Sequence, residues 1–377
     1  MMLNRRTFSV LSSAAIVAGF KTAQAQSEAK IVLGQSAPFS GAAAQLGIQF
    51  NAGAKVYFEQ TNARGGINRR PIELMALDDG YEPDRCAENT RKLIEQDAFA
   101  LFGYIGTPTS LAALPIATQE RVPFIAPFTG AMSLREPMNK MAFHLRASYD
   151  DETALIVRQL HNLGLKKIAV FYQNDAYGKA GLSGVVKALD KEGLKPVALA
   201  TVERNSVEVA AAVKTLVAAG PDAIVQVSAY KSCAAFIREA RKATFGGTFF
   251  NVSFVGTQAL ADELGQAGAG VVVSQVVPAP GSLTTAIGRE FTEAIKAYGK
   301  GVTANYSSLE GYLAARMMVD GLRNAGGKTA RDALISGLEA IGTQSYGGFA
   351  VSLSTSDHVA SSFVQLSMLT GDGRVRV

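Results

Sequence analysis

From residue 31 to residue 277, apolar runs of strand length alternate with amphipathic stretches of helical length. Strand candidates fall at 31–37, 71–78, 99–104, 122–128, 167–173, 196–202, 222–229, 248–255 and 270–277. Helical patterns occupy 45–63, 84–97, 109–120, 151–163, 178–192, 207–219, 231–243 and 257–265. Short connections between alternating strands and helices imply right-handed crossovers and parallel sheets covered on both faces. Three further helical patterns follow near 284–298, 307–325 and 329–341, then strands near 347–354 and 361–370 with Gly371-Asp372-Gly373 as a turn. So many parallel strands divide better between two sheets than they fit in one.

The expected fold class is therefore α/β, with two doubly wound (Rossmann-like) lobes joined by a hinge of three crossings. The first crossing is expected between Phe143 and Asp150, the second near Val277-Pro278-Ala279-Pro280 and the third near Gly347-Gly348. This gives one lobe of residues 28–147 plus 280–348 and another of residues 148–279 plus 349–377. Ligands of open α/β sheets bind beyond the carboxyl ends of the strands, so the candidate site is the cleft between the lobes.

Residues 1–25 are expected to be a signal peptide. Arg5-Arg6-Thr7-Phe8 precedes an apolar stretch from Val10 to Phe20, and Ala23-Gln24-Ala25 supplies small residues for cleavage. This order marks secretion, the paired arginines point to the twin-arginine route, and the apolar stretch is too short to span a bilayer. Removing Arg5, Arg6 and Lys21 takes the formal charge from +5 to 5 − 3 = +2. With no basic cluster interleaved with aromatics, nucleic acid is not the expected partner. The two cysteines, Cys86 and Cys233, sit far apart in helical patterns and read as buried thiols, although an exported chain permits a disulfide.

The loop Ser36-Ala37-Pro38-Phe39-Ser40-Gly41-Ala42-Ala43-Ala44-Gln45-Leu46-Gly47 invites a nucleotide reading, which its spacing excludes. Five residues separate Gly41 from Gly47, Ile48 stands where a P-loop needs Lys, and a dinucleotide fingerprint needs a third glycine. Gly181-Leu182-Ser183-Gly184 misses the spacing of a nucleophile elbow, and His144, His161 and His358 have no metal-ligand spacing. Asp78-Asp79 and Asp150-Asp151-Glu152 read as a strand end and a helix start. No catalysis, metal or cofactor is expected; the rival reading, a two-lobed transferase-type enzyme, would need a phosphate loop, metal constellation or poised base.

An ordered series of short motifs carries a resemblance. It comprises Gly34-Gln35-Ser36-Ala37-Pro38-Phe39-Ser40-Gly41, Ala52-Gly53-Ala54, Asn62-Ala63-Arg64-Gly65-Gly66-Ile67 and Asp78-Asp79-Gly80-Tyr81-Glu82-Pro83. Pro123-Phe124-Ile125-Ala126-Pro127 and Asp175-Ala176-Tyr177-Gly178 follow. The series resembles the leucine/isoleucine/valine-binding family of periplasmic solute-binding proteins, from about residue 30 nearly to the C-terminus. The resemblance implies a type I two-lobed fold with three hinge strands. It also implies an exported, monomeric Venus-flytrap protein that captures a small solute for the membrane permease of an ABC importer.

It further implies ligand contacts on the strand-to-helix loops: Ser40 and Leu46 on the first, Thr107 at a helix start, and Phe128, Thr129 and Gly130 on the next. In the second lobe it implies Tyr177 and Tyr230, or Ala229 if the alignment slips by one, with Tyr104 a further aromatic candidate. Core packing is the alternative for each aromatic. Phe254 falls where amino-acid binders place an acid against the ligand's ammonium; a buried, unpaired ammonium there would cost several kcal/mol. The expected solute is thus a small organic or aromatic acid, with a branched-chain amino acid as the family's alternative. Arg146 could pair a second carboxylate or brace the hinge. A periplasmic ligand sensor built on the same lobes is the alternative function.

Overall fold

The computed structural model describes residues 30–328 and 330–377; the expected signal segment, residues 1–25, lies outside the described residues. The first apolar run extends as β1 (Ile31–Ala37) and leads into α1 (Ala44–Ala63), β2 (Ile72–Asp78), α2 (Pro83–Glu95) and β3 (Ala100–Phe102). Then come α3 (Thr107–Gln119), β4 (Phe124–Ile125) and β5 (Ala142–Phe143). These five strands form a parallel sheet in the order β2-β1-β3-β4-β5. The signals that bound its helices act as the sequence implies. Pro83 takes the first position of α2, where its missing N–H costs nothing. Gly65 and Gly66 adopt φ of +97° and +68° behind α1, and their N–H groups return to the Asn62 and Thr61 carbonyls.

The chain then passes to a second sheet. Its elements are α4 (Tyr149–Asn162), β6 (Ile168–Gln173), α5 (Ala176–Lys191), β7 (Ala198–Val202), α6 (Ala210–Ala218) and β8 (Ala223–Val227). They continue with α7 (Tyr230–Lys242), β9 (Thr248–Asn251), α8 (Thr257–Leu264) and β10 (Val272–Gln275). Ser148 caps α4 in a reciprocal pair with Asp151, so the Asp150-Asp151-Glu152 run is a helix start.

After Gln275 the chain returns to the first lobe as α9 (Ala286–Tyr298), α10 (Tyr306–Asn324) and α11 (Arg331–Glu339), followed by β11 (Gly342–Tyr346) and β12 (Phe349–Leu353). α10 lies against α1 at backbone distance: a Cβ on Gly53 would strike the Ser308 carbonyl, and one on Gly311 the Phe50 carbonyl. Glycine is required at both positions for the helices to approach so closely.

Gly347-Gly348, expected as the third crossing, instead forms the turn of the β11–β12 hairpin. Both residues have positive φ, the conformation a two-residue hairpin turn demands, and Gly347 accepts the Ile287 N–H of α9. The chain next runs beside His144, whose N–H donates to the His358 carbonyl at 2.8 Å. Only at β13 (Gln365–Leu369) does it join the second sheet, antiparallel to β10, with β14 (Val375–Arg376) outermost. That sheet reads β14-β13-β10-β9-β8-β6-β7. Both cysteines are free and buried.

Candidate functional site

The carboxyl ends of the two sheets face each other, and the loops between them meet in a closed cleft. On the first lobe, Gly106 (φ +99°) turns the chain into α3, with Thr107 as its first residue. A Cβ on Gly106 would overlap the Tyr81 ring, so only glycine fits beneath that tyrosine. The Thr107 and Thr129 hydroxyls share a hydrogen bond of 2.7 Å, and Thr129 Oγ1 also accepts the Ala131 N–H. Two hydroxyls sharing one bond leave one proton for a further acceptor. Gly130 accepts the Tyr149 N–H at 2.8 Å, and a Cβ there would sit 2.7 Å from that nitrogen. Tyr149 is thus drawn beside Thr129, with its buried hydroxyl toward the Thr129 side chain.

Phe254 is the centre of an aromatic cage. Its ring lies 4.5 Å from Tyr177, 5.7 Å from Phe128 and 5.9 Å from Tyr81, while Tyr149 lies 5.4 Å from Tyr177. Leu46, at the start of α1, packs against Gly256 across the lobes. Leu46, Thr107, Phe128, Thr129, Gly130, Tyr177 and Phe254 are all buried together here. The rings meet at tilted angles of 37° to 51° and give this corner an apolar, aromatic lining.

Charge enters from the hinge. Arg146, 1% exposed, donates from Nε and Nη2 to the two carboxylate oxygens of Glu310, each at 2.7 Å. Its guanidinium lies 4.1 Å from the centre of the Phe128 ring, and Nη1 has no partner. Burial alone would lower the Arg146 pKa, but Glu310 more than offsets it and holds the cation charged. Arg135 ties this region to the Thr129 loop, donating to the Thr129, Arg146 and Ala147 carbonyls. Beneath Phe254, the buried Glu152 carboxylate accepts from the Ser253 N–H (2.7 Å), the Ser253 hydroxyl (2.9 Å) and the Ser274 hydroxyl (2.5 Å). Burial pushes the Glu152 pKa up despite those donors and Arg146.

At one edge, Gln173 of β6 donates to the Tyr81 hydroxyl, and Arg204 and Asn205 reach Glu82 and Gly80 of the first lobe. At the other, the Tyr230 hydroxyl meets the Gln45 N–H at the start of α1, a helix without a side-chain cap. A groove of about 480 Å³ between Gly41–Gln45 and α7–α8 lies beside Tyr230, which places that residue at the rim.

Two sequence candidates lie elsewhere. Ser40 is exposed, and its hydroxyl donates to Asp78 at 2.5 Å. Tyr104 is packed in the first lobe's interior against Phe124, with its hydroxyl 3.1 Å from Thr90 Oγ1. Neither joins the cage. The sequence placed none of Tyr81, Tyr149, Glu152, Gln173 and Glu310 in the site: Tyr81 stood only within a resemblance motif and Glu152 only within a helix-start run. Glu310 carries a usable signal, as the one charged residue among the buried residues of α10.

The periplasmic binding protein family model matches residues 30–374. Among solved structures, a possible leucine/isoleucine/valine-binding protein from Rhodopirellula baltica superposes with a TM-score of 0.88 at 34% identity, over 92% of this chain and 95% of that one. A substrate-binding periplasmic protein from Ralstonia solanacearum gives 0.87 at 31% identity, over 92% and 99%. The amino acid binding protein of Pseudomonas aeruginosa is 27% identical over 63% of this chain, and the match spans 64% of that relative's length. A Leu/Ile/Val-binding protein homolog of Brucella abortus is 26% identical over 82% of this chain and 81% of its own. The cleft, the two doubly wound lobes and these likenesses agree: the chain belongs to the periplasmic binding protein family, in its leucine/isoleucine/valine-binding branch with the type I fold.

Proposed function

We propose that this protein, once exported, captures a small carboxylate-bearing solute in the interlobe cleft and presents it to the membrane permease of an ABC importer. The observation that carries this reading is the Thr107–Thr129 hydroxyl pair at the first turn of α3, walled by Phe128, Tyr177 and Phe254. Hydroxyls at a helix start suit an anionic oxygen, and the rings suit the apolar remainder. Relatives named for branched-chain amino acids, and a Thermomonospora curvata structure named as the substrate-binding protein of a fatty acid ABC transporter, support a carboxylate on an apolar body. Binding between the lobes favours the closed arrangement by the solute's differential affinity for it.

Thermal unfolding of the mature protein with leucine, with its deaminated acid and with aromatic acids tests the reading. A specific solute at 100 times its Kd adds about 2.7 kcal/mol, a readily measured melting shift. At least one carboxylate is expected to stabilise; stabilisation only by uncharged solutes would overturn the assignment. Loss of uptake of the binding acid in a strain lacking the gene separates transport from sensing.

A further inference from the structure

We infer that Arg146, oriented by Glu310 and Phe128, is the specificity-determining residue of the cleft, and that it selects organic-acid anions over both their neutral analogues and zwitterionic amino acids. This rests on the reading that the cleft binds a carboxylate.

The geometry of the guanidinium carries the inference. A planar fork with five N–H donors has two of its nitrogens fixed by one carboxylate, at 2.7 Å each, and its face fixed by the Phe128 ring. The remaining nitrogen, Nη1, is buried without a partner. Phe128 adjoins Thr129 in the chain, and Tyr149 lies beside Thr129, so these donors converge on one corner of the cage. A buried N–H left unpaired is costly, and a guanidinium N–H is matched best by a carboxylate oxygen. Glu310 is thus a positioning residue: it engages two of the three nitrogens and leaves Nη1 without a partner.

An ammonium finds no comparable partner. The carboxylates near the cage are each engaged: Glu310 by Arg146, Glu152 by three donors from Ser253 and Ser274, Asp175 by Gln173, Arg204 and the Tyr177 N–H, and Asp79 by the Ser36 hydroxyl and the Tyr81 N–H. Arg135, also buried, adds a second cation toward the same side of Glu152 and Tyr149. An incoming anion therefore meets the unpaired guanidinium N–H, whereas an incoming amine meets carboxylates already engaged and, as a free acceptor, the neutral Gln173 Oε1.

The test compares straight-chain, branched and aromatic monocarboxylates with their primary amides, by titration calorimetry on the mature protein. The wild type should prefer the best acid over its amide by on the order of tenfold to a hundredfold, the value of a hydrogen bond to a charged group. It should also prefer the deaminated acid of leucine to leucine. In Arg146→Lys the single nitrogen remains with Glu310 and the third donor is gone, so the acid preference should fall toward unity. The double substitution R146M/E310M removes the pair without stranding a charge and should do the same; its melting temperature reports whether it folds. Acid binding with the preference unchanged in a folded variant overturns this inference alone. Failure of every acid to bind the wild type overturns it together with the carboxylate reading.

Discussion

Arg204 Nη2 of the second lobe donates to Glu82 Oε2 of the first at 2.9 Å, and Asn205 Nδ2 donates to the same carboxylate at 2.7 Å and to the Gly80 carbonyl at 3.1 Å. These bonds join two elements that belong to different sheets, so they exist only while the lobes are closed. The ion pair is partly solvated and is worth about 1 kcal/mol at most. Arg204→Ala should therefore weaken solute binding by about fivefold, chiefly through faster dissociation. In spin-label distance measurements on the solute-free protein, the same substitution should shift the population toward larger interlobe separations. An unchanged distance distribution would show that the clasp does not bias closure.

Phe254 touches rings from both lobes, so its removal should damage the cleft more than either lobe. Phe254→Ala opens a cavity beside Tyr81, Phe128 and Tyr177, and a fully buried Phe→Ala change costs roughly 3–5 kcal/mol. Solute affinity should fall at least about tenfold, since each lost ring contact contributes about 0.5–1.5 kcal/mol. The melting loss should be larger with solute present than without it, because only the closed arrangement buries this ring against both walls. Paired melts with and without solute measure the difference.

Asp79 gives the fold a pH dependence of known sign. Burial pushes its pKa from 3.8 up to about 6, against the Ser36 hydroxyl and the Tyr81 N–H that bond its carboxylate. A carboxyl whose pKa is higher folded than unfolded holds more protons in the folded state between those values. Its contribution to stability is present below pH 4 and is lost as pH rises through about 6. Asp79→Asn should remove this loss. The stability of the variant relative to wild type should rise by up to about 3 kcal/mol between pH 4 and pH 8 in urea titrations. A constant difference across that range would mean the carboxyl titrates normally.

Glu310 shows how a buried pair differs from its separate members. Glu310→Ala strands Arg146 in the interior with all three nitrogens unpaired and should cost about 3–5 kcal/mol in denaturant unfolding. The paired substitution R146M/E310M should cost far less, because no charge is left behind. Equal losses for the two proteins would mean that the hinge needs the volume of these side chains rather than their charges.

The layering of this fold was legible because strand and helix periods differ and glycine marks helix ends, as at Gly65-Gly66. The family resemblance implied Thr107, Phe128, Thr129, Tyr177 and Phe254, and each follows a strand end by a few residues, where open sheets place their ligands. The hinge was harder. Gly347-Gly348 reads equally as a linker and as a hairpin turn, and the choice depends on whether flanking strands pair, a contact of tertiary origin. Tyr81 and Tyr149 were missed for a related reason. Tyr81 enters the cage because its backbone adopts φ +65°, which a non-glycine residue does not announce, and Tyr149 because Gly130 lets its backbone approach.

Ser40 and Tyr104 provide the control for the whole assignment. Ser40 Oγ donates to Asp78 on the exposed rim, where the Phe39 and Gly80 N–H groups bond the same carboxylate. Ser40→Ala should cost at most about 1 kcal/mol of stability and leave solute affinity within about twofold. Tyr104→Phe loses one bond to Thr90 within the first lobe and should behave the same way, with a cost near 1 kcal/mol. Thr107→Ala and Thr129→Ala, by contrast, remove the hydroxyls at the start of α3 and should each lower affinity about tenfold or more. Calorimetric titration of all four with the best acid ranks them directly. A loss at Ser40 equal to that at Thr107 would place the solute at the exposed lip of the cleft instead of inside the cage.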